Sequence, residues 1–192
     1  MDEAELIRRA KDGELECFNQ LVLRYQTQVY NLSFRMVGHA ATAEDITQES
    51  FVSAYRKLRS FQAGNFLAWL MRIATNACMD HFRSAHSKRN VSLEELEENP
   101  SFSPTSGGES PEAYALRREL GEVLKQSLLS IPSDQRIALI LIDLQGLSYD
   151  EASQVIGVPI GTVKSRLSRG RIAMRERLQS KRELLPSGFR FN

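Results

Sequence analysis

Between Ile160 and Arg182 the sequence places Lys164, Arg166, Arg169, Arg171, Arg175, Arg177, Lys181 and Arg182 against a single acid, Glu176, for a local net charge of +7. Such a stretch is an electrostatic footprint for a polyanion, although a solvated basic helix face has the same composition. Spacing favours the first alternative. Ser148 and Glu151 stand at capping-box spacing ahead of a short helix, and Gly157 can end that helix in a left-handed turn. Val158 and Pro159 follow, and a second helix starts near Ile160, so the chain turns within about four residues as a helix-turn-helix does. With Val163 as zero at about 100° per residue, Leu167, Met174 and Leu178 fall within about 60° of it, an inward stripe. Ser165, Ser168 and Arg169 lie on the opposite side, flanked by Lys164, Arg171 and Arg175. Small hydroxyls and Arg on a helix anchored from behind suit a major groove, where Arg can bind guanine O6 and N7 together. A plain helical hairpin is the alternative.

Other chemistry is thinly represented. Cys78-x-x-His81 has metal-ligand spacing, with His86 nearby, but lacks a fourth ligand unless Asp80 serves, and Cys78 is equally a small core residue. No Ser/His/Asp set, phosphate-cradling glycine loop or carboxylate pair in an apolar setting stands out, so neither an enzyme nor a cofactor or metal is expected. With 192 residues, 42% hydrophobic and 26% charged, the chain is an ordinary globular one. Its longest apolar run, Ile137 to Ile142, is far below the roughly 20 residues of a membrane span. Two cysteines, an acidic N-terminus and no leader pattern lead to the expectation of a cytoplasmic protein.

The elements that must position these residues read as helices throughout: an all-α chain of two small helical domains joined by a flexible acidic linker. Asp2 and Glu5 cap a short helix ending by Gly13. Phe18, Leu21, Val22, Tyr25, Val29, Leu32 and Met36 place one stripe on a long helix stopped at Gly38. Thr42 and Asp45 open a third, with Ile46, Val52 and Tyr55 inward and Glu44, Gln48 and Glu49 outward. A fourth begins near Asn65, buries Phe66, Leu70, Ile73 and Ala77, and ends in the basic tail Arg83, Lys88 and Arg89. Residues 91–113 carry six acids, no Lys or Arg, three prolines and two glycines, and read as a linker whose SLEELEE stretch could form a turn or two of helix. Beyond it, Tyr114, Leu116, Leu120, Val123, Leu124 and Leu128 mark a helix ended by Pro132. Ser133 starts the next, with Ile137, Ile140, Leu141 and Leu144 facing a core and Gly146 closing it. The expected division is 1–90, linker 91–113, a helix-turn-helix domain 114–183 and a tail 184–192.

In their order across the linker, three motifs resemble the extracytoplasmic-function (ECF) group of bacterial RNA polymerase sigma factors. Ala43-Glu44-Asp45-Ile46-Thr47-Gln48-Glu49-Ser50-Phe51 is similar to the helix that binds core polymerase, and Phe66-Leu67-Ala68-Trp69-Leu70-Met71-Arg72-Ile73-Ala74-Thr75-Asn76 to the promoter-melting and minus-ten-reading helix. Gly146-Leu147-Ser148-Tyr149 with Pro159-Ile160-Gly161-Thr162-Val163-Lys164-Ser165-Arg166-Leu167 resembles the minus-35-reading helix-turn-helix. The resemblance implies that Glu44, Asp45, Gln48 and Glu49 dock on the β′ clamp helices of core polymerase and that the second domain sits on the β flap. It implies a minus-ten set of Phe61, Asn65, Asn76, Asp80, Arg83, Lys88 and Arg89, with an unstacked base held in the loop before Phe66 and phosphate gripped by Lys88 and Arg89. The minus-35 set is then Thr162, Lys164, Ser165, Arg166, Ser168, Arg169 and Arg171. Promoter DNA and an anti-sigma factor are the further partners implied, with no membrane span.

The sequence departs from the family pattern twice. The loop Phe61-Gln62-Ala63-Gly64-Asn65-Phe66 is one residue shorter than the usual Phe-x-Gly-x-Ser-x-Phe, so no base identity carries over. Ala152 and Ser153 stand where a large apolar residue and then Ala are usual, which implies looser docking of that helix. The 23-residue linker can span roughly 75 Å when extended but averages about 26 Å as a relaxed coil. Promoter elements some 17 base pairs apart are separated by about 58 Å, so the linker is expected to be extended in the complex, its net −6 suiting a basic channel. A stand-alone regulator with an N-terminal sensor is the rival function; unlike a sigma factor, it would bind promoter duplex tightly without polymerase.

Overall fold

A computed structural model of the chain describes residues 1–88 and 111–180. The element order is α1 (Glu3–Lys11), α2 (Leu15–Val37), α3 (Ala40–Lys57), α4 (Phe66–Lys88), α5 (Pro111–Leu129), α6 (Ser133–Leu139), α7 (Tyr149–Ile156) and α8 (Ile160–Gln179). No strand occurs among the described residues, including Ile137–Ile142. Most of the expected linker, the tail and Arg89 lie outside the described residues, but α5 starts at Pro111, three residues before the expected boundary.

Local chemistry sets most helix ends. Asp2 accepts from the Glu5 backbone N–H at 2.8 Å to start α1. Gly38, at φ 80°, closes α2. Helix α3 begins two residues earlier than Thr42, because His39 Nδ1 takes the Thr42 N–H and acts as its cap. Its inward row is Ala43, Ile46, Ser50, Phe51, Ala54 and Leu58, correcting the expectation for Val52 and Tyr55, which are 50% and 41% exposed. The small residues at 43, 50 and 54 let α3 close on its neighbours, and the larger side chains one step round the wheel turn out toward solvent. Asn65 caps α4 by accepting from the Ala68 N–H at 3.1 Å, and Leu70, Met71, Ala74 and Cys78 of α4 join the core, while Ile73 and Ala77 sit at its rim.

After α6 the chain makes a π-helical turn over Ile140–Leu144, with Gln145 N–H donating to Ile140 O at 2.9 Å. One extra residue in the ring shifts the helical phase. Leu144, expected inward, is therefore 45% exposed, whereas Ile137, Ile140 and Leu141 stay buried. The two halves of the chain do not stand apart: residues from α1 to α4 and from α5 to α8 share a single hydrophobic cluster.

Candidate nucleic-acid and polymerase interfaces

The capping box opens α7 as the spacing requires. Ser148 Oγ accepts from the Glu151 N–H, and Glu151 Oε2 accepts from the Ser148 N–H at 2.8 Å. Those bonds and the amide of Asn65 hold the Glu151 carboxyl below its ordinary range, the Ser148 backbone contributing most. Gly157 ends α7 at φ 75°. Ser153 stiffens the turn: its carbonyl accepts from the Gly157 N–H at 2.8 Å and its hydroxyl donates to Val158 O at 2.6 Å. With Ala152 fully buried, the looser docking expected of this helix is not what the structure shows; a hydroxyl replaces apolar bulk as the restraint.

Helix α8 is anchored through Val163, Leu167 and Gly170, all buried. Gly170 was not singled out in the sequence, yet a Cβ there would lie 3.1 Å from the Gln135 carbonyl oxygen, so its missing side chain sets how closely α8 approaches α6. Two ion pairs brace the same helix on either side of the buried stripe. Arg166 meets Asp134 at 3.3 Å with its side chain 22% exposed, and Arg171 makes a two-bond pair with Asp143 at 2.9 and 2.6 Å. Both guanidiniums are thus engaged within their own half of the chain. Lys164, Ser165, Ser168 and Arg169 are exposed on the outward face and Thr162 is half-buried beside them. Lys164 lies over the Tyr149 ring at 5.4 Å, and Arg169 Nε reaches Ser165 O at 3.3 Å. The face also carries Ile172, 54% exposed and absent from the sequence-derived set, although its place on the wheel could have shown it.

Around α4 the placement is mixed. Asn65, Asn76, Asp80 and Arg83 are exposed, and Arg83 pairs with Asp80 one turn away. Phe61 is only 7% exposed; its ring packs on Phe66 and Trp69 at 5.4 and 5.3 Å with Lys11 over its face, so it shapes the loop from beneath. Gln62 to Asn65 are exposed throughout, with Gly64 at φ 128°. Lys88 ends α4. On α3, Glu44, Asp45, Gln48 and Glu49 are all exposed on one face, and among the described residues none makes a side-chain hydrogen bond or ion pair. Val52 and Tyr55 continue that face and border a groove with Leu15, Phe18 and Phe51.

Cys78 is fully buried, and burial pushes its thiol up to about 12. Among the described residues no group of three or more His, Cys, Asp or Glu side chains is placed to hold a metal. Both cysteines are expected to resist a thiol reagent at neutral pH in the folded chain and to react on denaturation. Rapid labelling of Cys78 in the native protein would contradict its core placement.

Two family models match the chain: Sigma-70 region 2 over residues 21–88 and Sigma-70, region 4 over residues 121–174. The RNA polymerase sigma-H factor of Pseudomonas aeruginosa is 36% identical over 182 residues, covering 92% of this chain and 94% of that one. The ECF RNA polymerase sigma factor SigW of Bacillus subtilis is 34% identical, covering 90% and 95%. The chain belongs to the ECF RNA polymerase sigma factors. As such it binds RNA polymerase core and directs promoter-specific initiation, and it is not an enzyme. The order of the motifs along the whole length excludes the stand-alone regulator. Solved structures agree: CnrH in complex with the cytosolic domain of CnrY superposes with a TM-score of 0.67 at 25% identity, covering 91% of this sigma factor and 96% of that chain. The sigma factor RpoE in complex with the anti-sigma factor NepR from Bartonella quintana gives 0.67 at 28%, covering 86% and 98%. No described helix is long and apolar enough to cross a membrane.

Proposed function

We propose that the work of initiation is divided among three surfaces of this sigma factor. The face of α3 bearing Glu44, Asp45, Gln48 and Glu49 docks on the β′ clamp helices, and the half from α5 to α8 sits on the β flap. The loop Gln62 to Asn65 takes an unstacked base of the minus-ten element, Asn76 and Asp80 face its upstream edge, and Arg83, Lys88 and Arg89 neutralise phosphate. Thr162, Lys164, Ser165, Ser168 and Arg169 of α8 read the minus-35 element, while Arg166 and Arg171 hold that helix against Asp134 and Asp143. Functionally the chain divides near residues 90 and 113. Its partners include an anti-sigma factor, in line with the solved neighbours bound to one, and its place of work is the cytoplasm. The observation that carries this division is the outward face of α8: hydroxyls and Arg169 exposed, with Val163 and Leu167 fully committed to the core behind it.

Run-off transcription with bacterial core polymerase on promoter variants across a salt series tests it. Arg169→Ala is expected to cost about 1 to 3 kcal/mol and relax specificity at one base pair. Arg175 lies about 9 Å further along the axis, where a helix leaves the groove. Arg175→Ala is expected to weaken all sequences alike and to reduce the salt slope by about one unit. Equal, sequence-independent losses from both variants would remove the base-reading role of Arg169.

A further inference from the structure

The outward face of α8 carries one residue that its polar chemistry does not account for. Ile172 is 54% exposed and stands apart from the hydrophobic cluster in which Val163 and Leu167 anchor the helix. At about 100° per residue it falls roughly 180° from Val163, between Ser168 and Arg169 on the wheel. Lys164, Ser165, Ser168, Arg169 and Arg175 around it are all exposed, and a β-branched side chain brings an exposed helix interior nothing that a longer polar one would not. Glu176, one turn on, is the only acid between Ile160 and Gln179, so Ile172 is the last residue of the central outward row before the first negative charge. The row that leads to it, Gly161, Ser165 and Ser168, is small, and nothing in the chain lies within 4 Å of where a Cβ on Gly161 would stand. Along the axis Ile172 lies about 4.5 Å beyond Arg169 and as far short of Arg175. Helical side chains lean toward the N-terminus and cover the turn before their own Cα. Ile172 therefore lies over the turn of Ser168 and Arg169, and Arg169 Nε itself reaches back to Ser165 O at 3.3 Å.

We infer that Ile172 is a specificity residue of α8 that selects thymine, packing on its C5-methyl group at the base step beside the one Arg169 reads. The inference rests on the assignment of α8 to the minus-35 element. Charge chooses the occupant: the cations of Lys164, Arg169 and Arg175 on either side of Ile172 suit a groove walled by phosphate. Within a major groove, guanine, cytosine and adenine present only donors and acceptors, and thymine alone adds a methyl group. The isoleucine side chain has no donor or acceptor. Against any other base it dehydrates a polar edge without replacing the lost hydrogen bond, so discrimination comes from the penalty at wrong bases as well as from the apolar contact at the right one. A helix placed to offer Arg169 to a base edge offers Ile172 to the neighbouring step, because the two are three residues apart on one face.

Holoenzyme reconstituted from bacterial core polymerase and the full-length chain tests this on templates it selects from a pool randomised over both promoter elements. Wild type is expected to enrich thymine at one upstream position next to the base pair whose preference Arg169→Ala relaxes. Uracil in place of that thymine removes the methyl group and nothing else. It is expected to lower run-off initiation about fourfold, as for one methyl-sized group returned to water. With Ile172→Ala the same replacement is expected to have no measurable effect, whereas Ile172→Val keeps most of it. Alanine is the better helix former at an exposed position, so helix content by circular dichroism is expected to be unchanged. Ile172→Lys is expected to lose the thymine preference while its promoter binding becomes more salt-dependent. A full uracil penalty in Ile172→Ala, or a wild type with no uracil-sensitive upstream thymine, overturns the inference. So does weaker core binding by Ile172→Ala at unchanged promoter preference, which would place the side chain against polymerase. Upstream preferences that neither Arg169→Ala nor Ile172→Ala alters would overturn the assignment of α8 to the minus-35 element, and the inference with it.

Discussion

Replacing Gln48 by Ala and Glu49 by Lys is expected to weaken binding to RNA polymerase core by about 2 kcal/mol or more, roughly 30-fold, with the fold intact. The two consequences separate because α3 keeps its structural and its exposed residues on different faces. Ala43, Ile46, Ser50, Phe51 and Ala54 are buried against the rest of the first half, whereas Gln48 and Glu49 are exposed. Surface substitutions away from caps and core usually change stability by no more than about 0.5 kcal/mol. Lys at 49 also falls four residues after Asp45, the orientation in which a helical ion pair is mildly stabilising. At a docked interface the same change reverses one charge and removes a hydrogen-bonding amide. Pull-down against core polymerase, with a melting curve as control, measures both quantities. Unchanged affinity would take this face out of the docking surface and leave the neighbouring Val52, Tyr55 and Leu15 groove to account for it.

What the sequence made legible divides along the range of the interactions. Helix starts written in local chemistry were readable: Asp2 for α1 and the Ser148–Glu151 box for α7 need only residues three apart. So was the buried side of α8, since Val163 and Leu167 stand one turn apart on a strongly basic helix. Phase errors arose where the backbone departs from 3.6 residues per turn or where small residues do the packing. The π-helical turn carried Leu144 outward, and Ser50 with Ala54 displaced Val52 and Tyr55 from the core. Roles set by distant partners were not legible. That Arg166 and Arg171 pair with Asp134 and Asp143, about thirty positions earlier, shows only in the tertiary structure. Arg136 looks like a surface cation, and only the tertiary structure shows it buried among the carbonyls of both halves.

Shortening the connection between the two halves by ten residues is expected to abolish initiation at promoters with two elements while sparing the folded protein and its binding to core. The argument needs only covalent geometry. Twenty-two residues separate Lys88 at the end of α4 from Pro111 at the start of α5, an upper limit of roughly 73 Å at about 3.3 Å per residue. Removing ten leaves a limit of roughly 40 Å, below the approximately 58 Å between elements some 17 base pairs apart. Arg136, Asn65 and Glu151, whose bonds join the halves, all lie outside the deleted stretch and keep their partners. The shortened chain loses only the reach needed to engage both elements at once. Run-off transcription should therefore fall to background on a two-element template, with core pull-down retained through the exposed α3 face. A template whose elements are moved one helical turn closer, about 34 Å less along the axis, brings the required span back within the shorter limit, and activity there is expected to recover in part. Full activity of the deletion on the original template would show that the two halves do not engage the two elements at once.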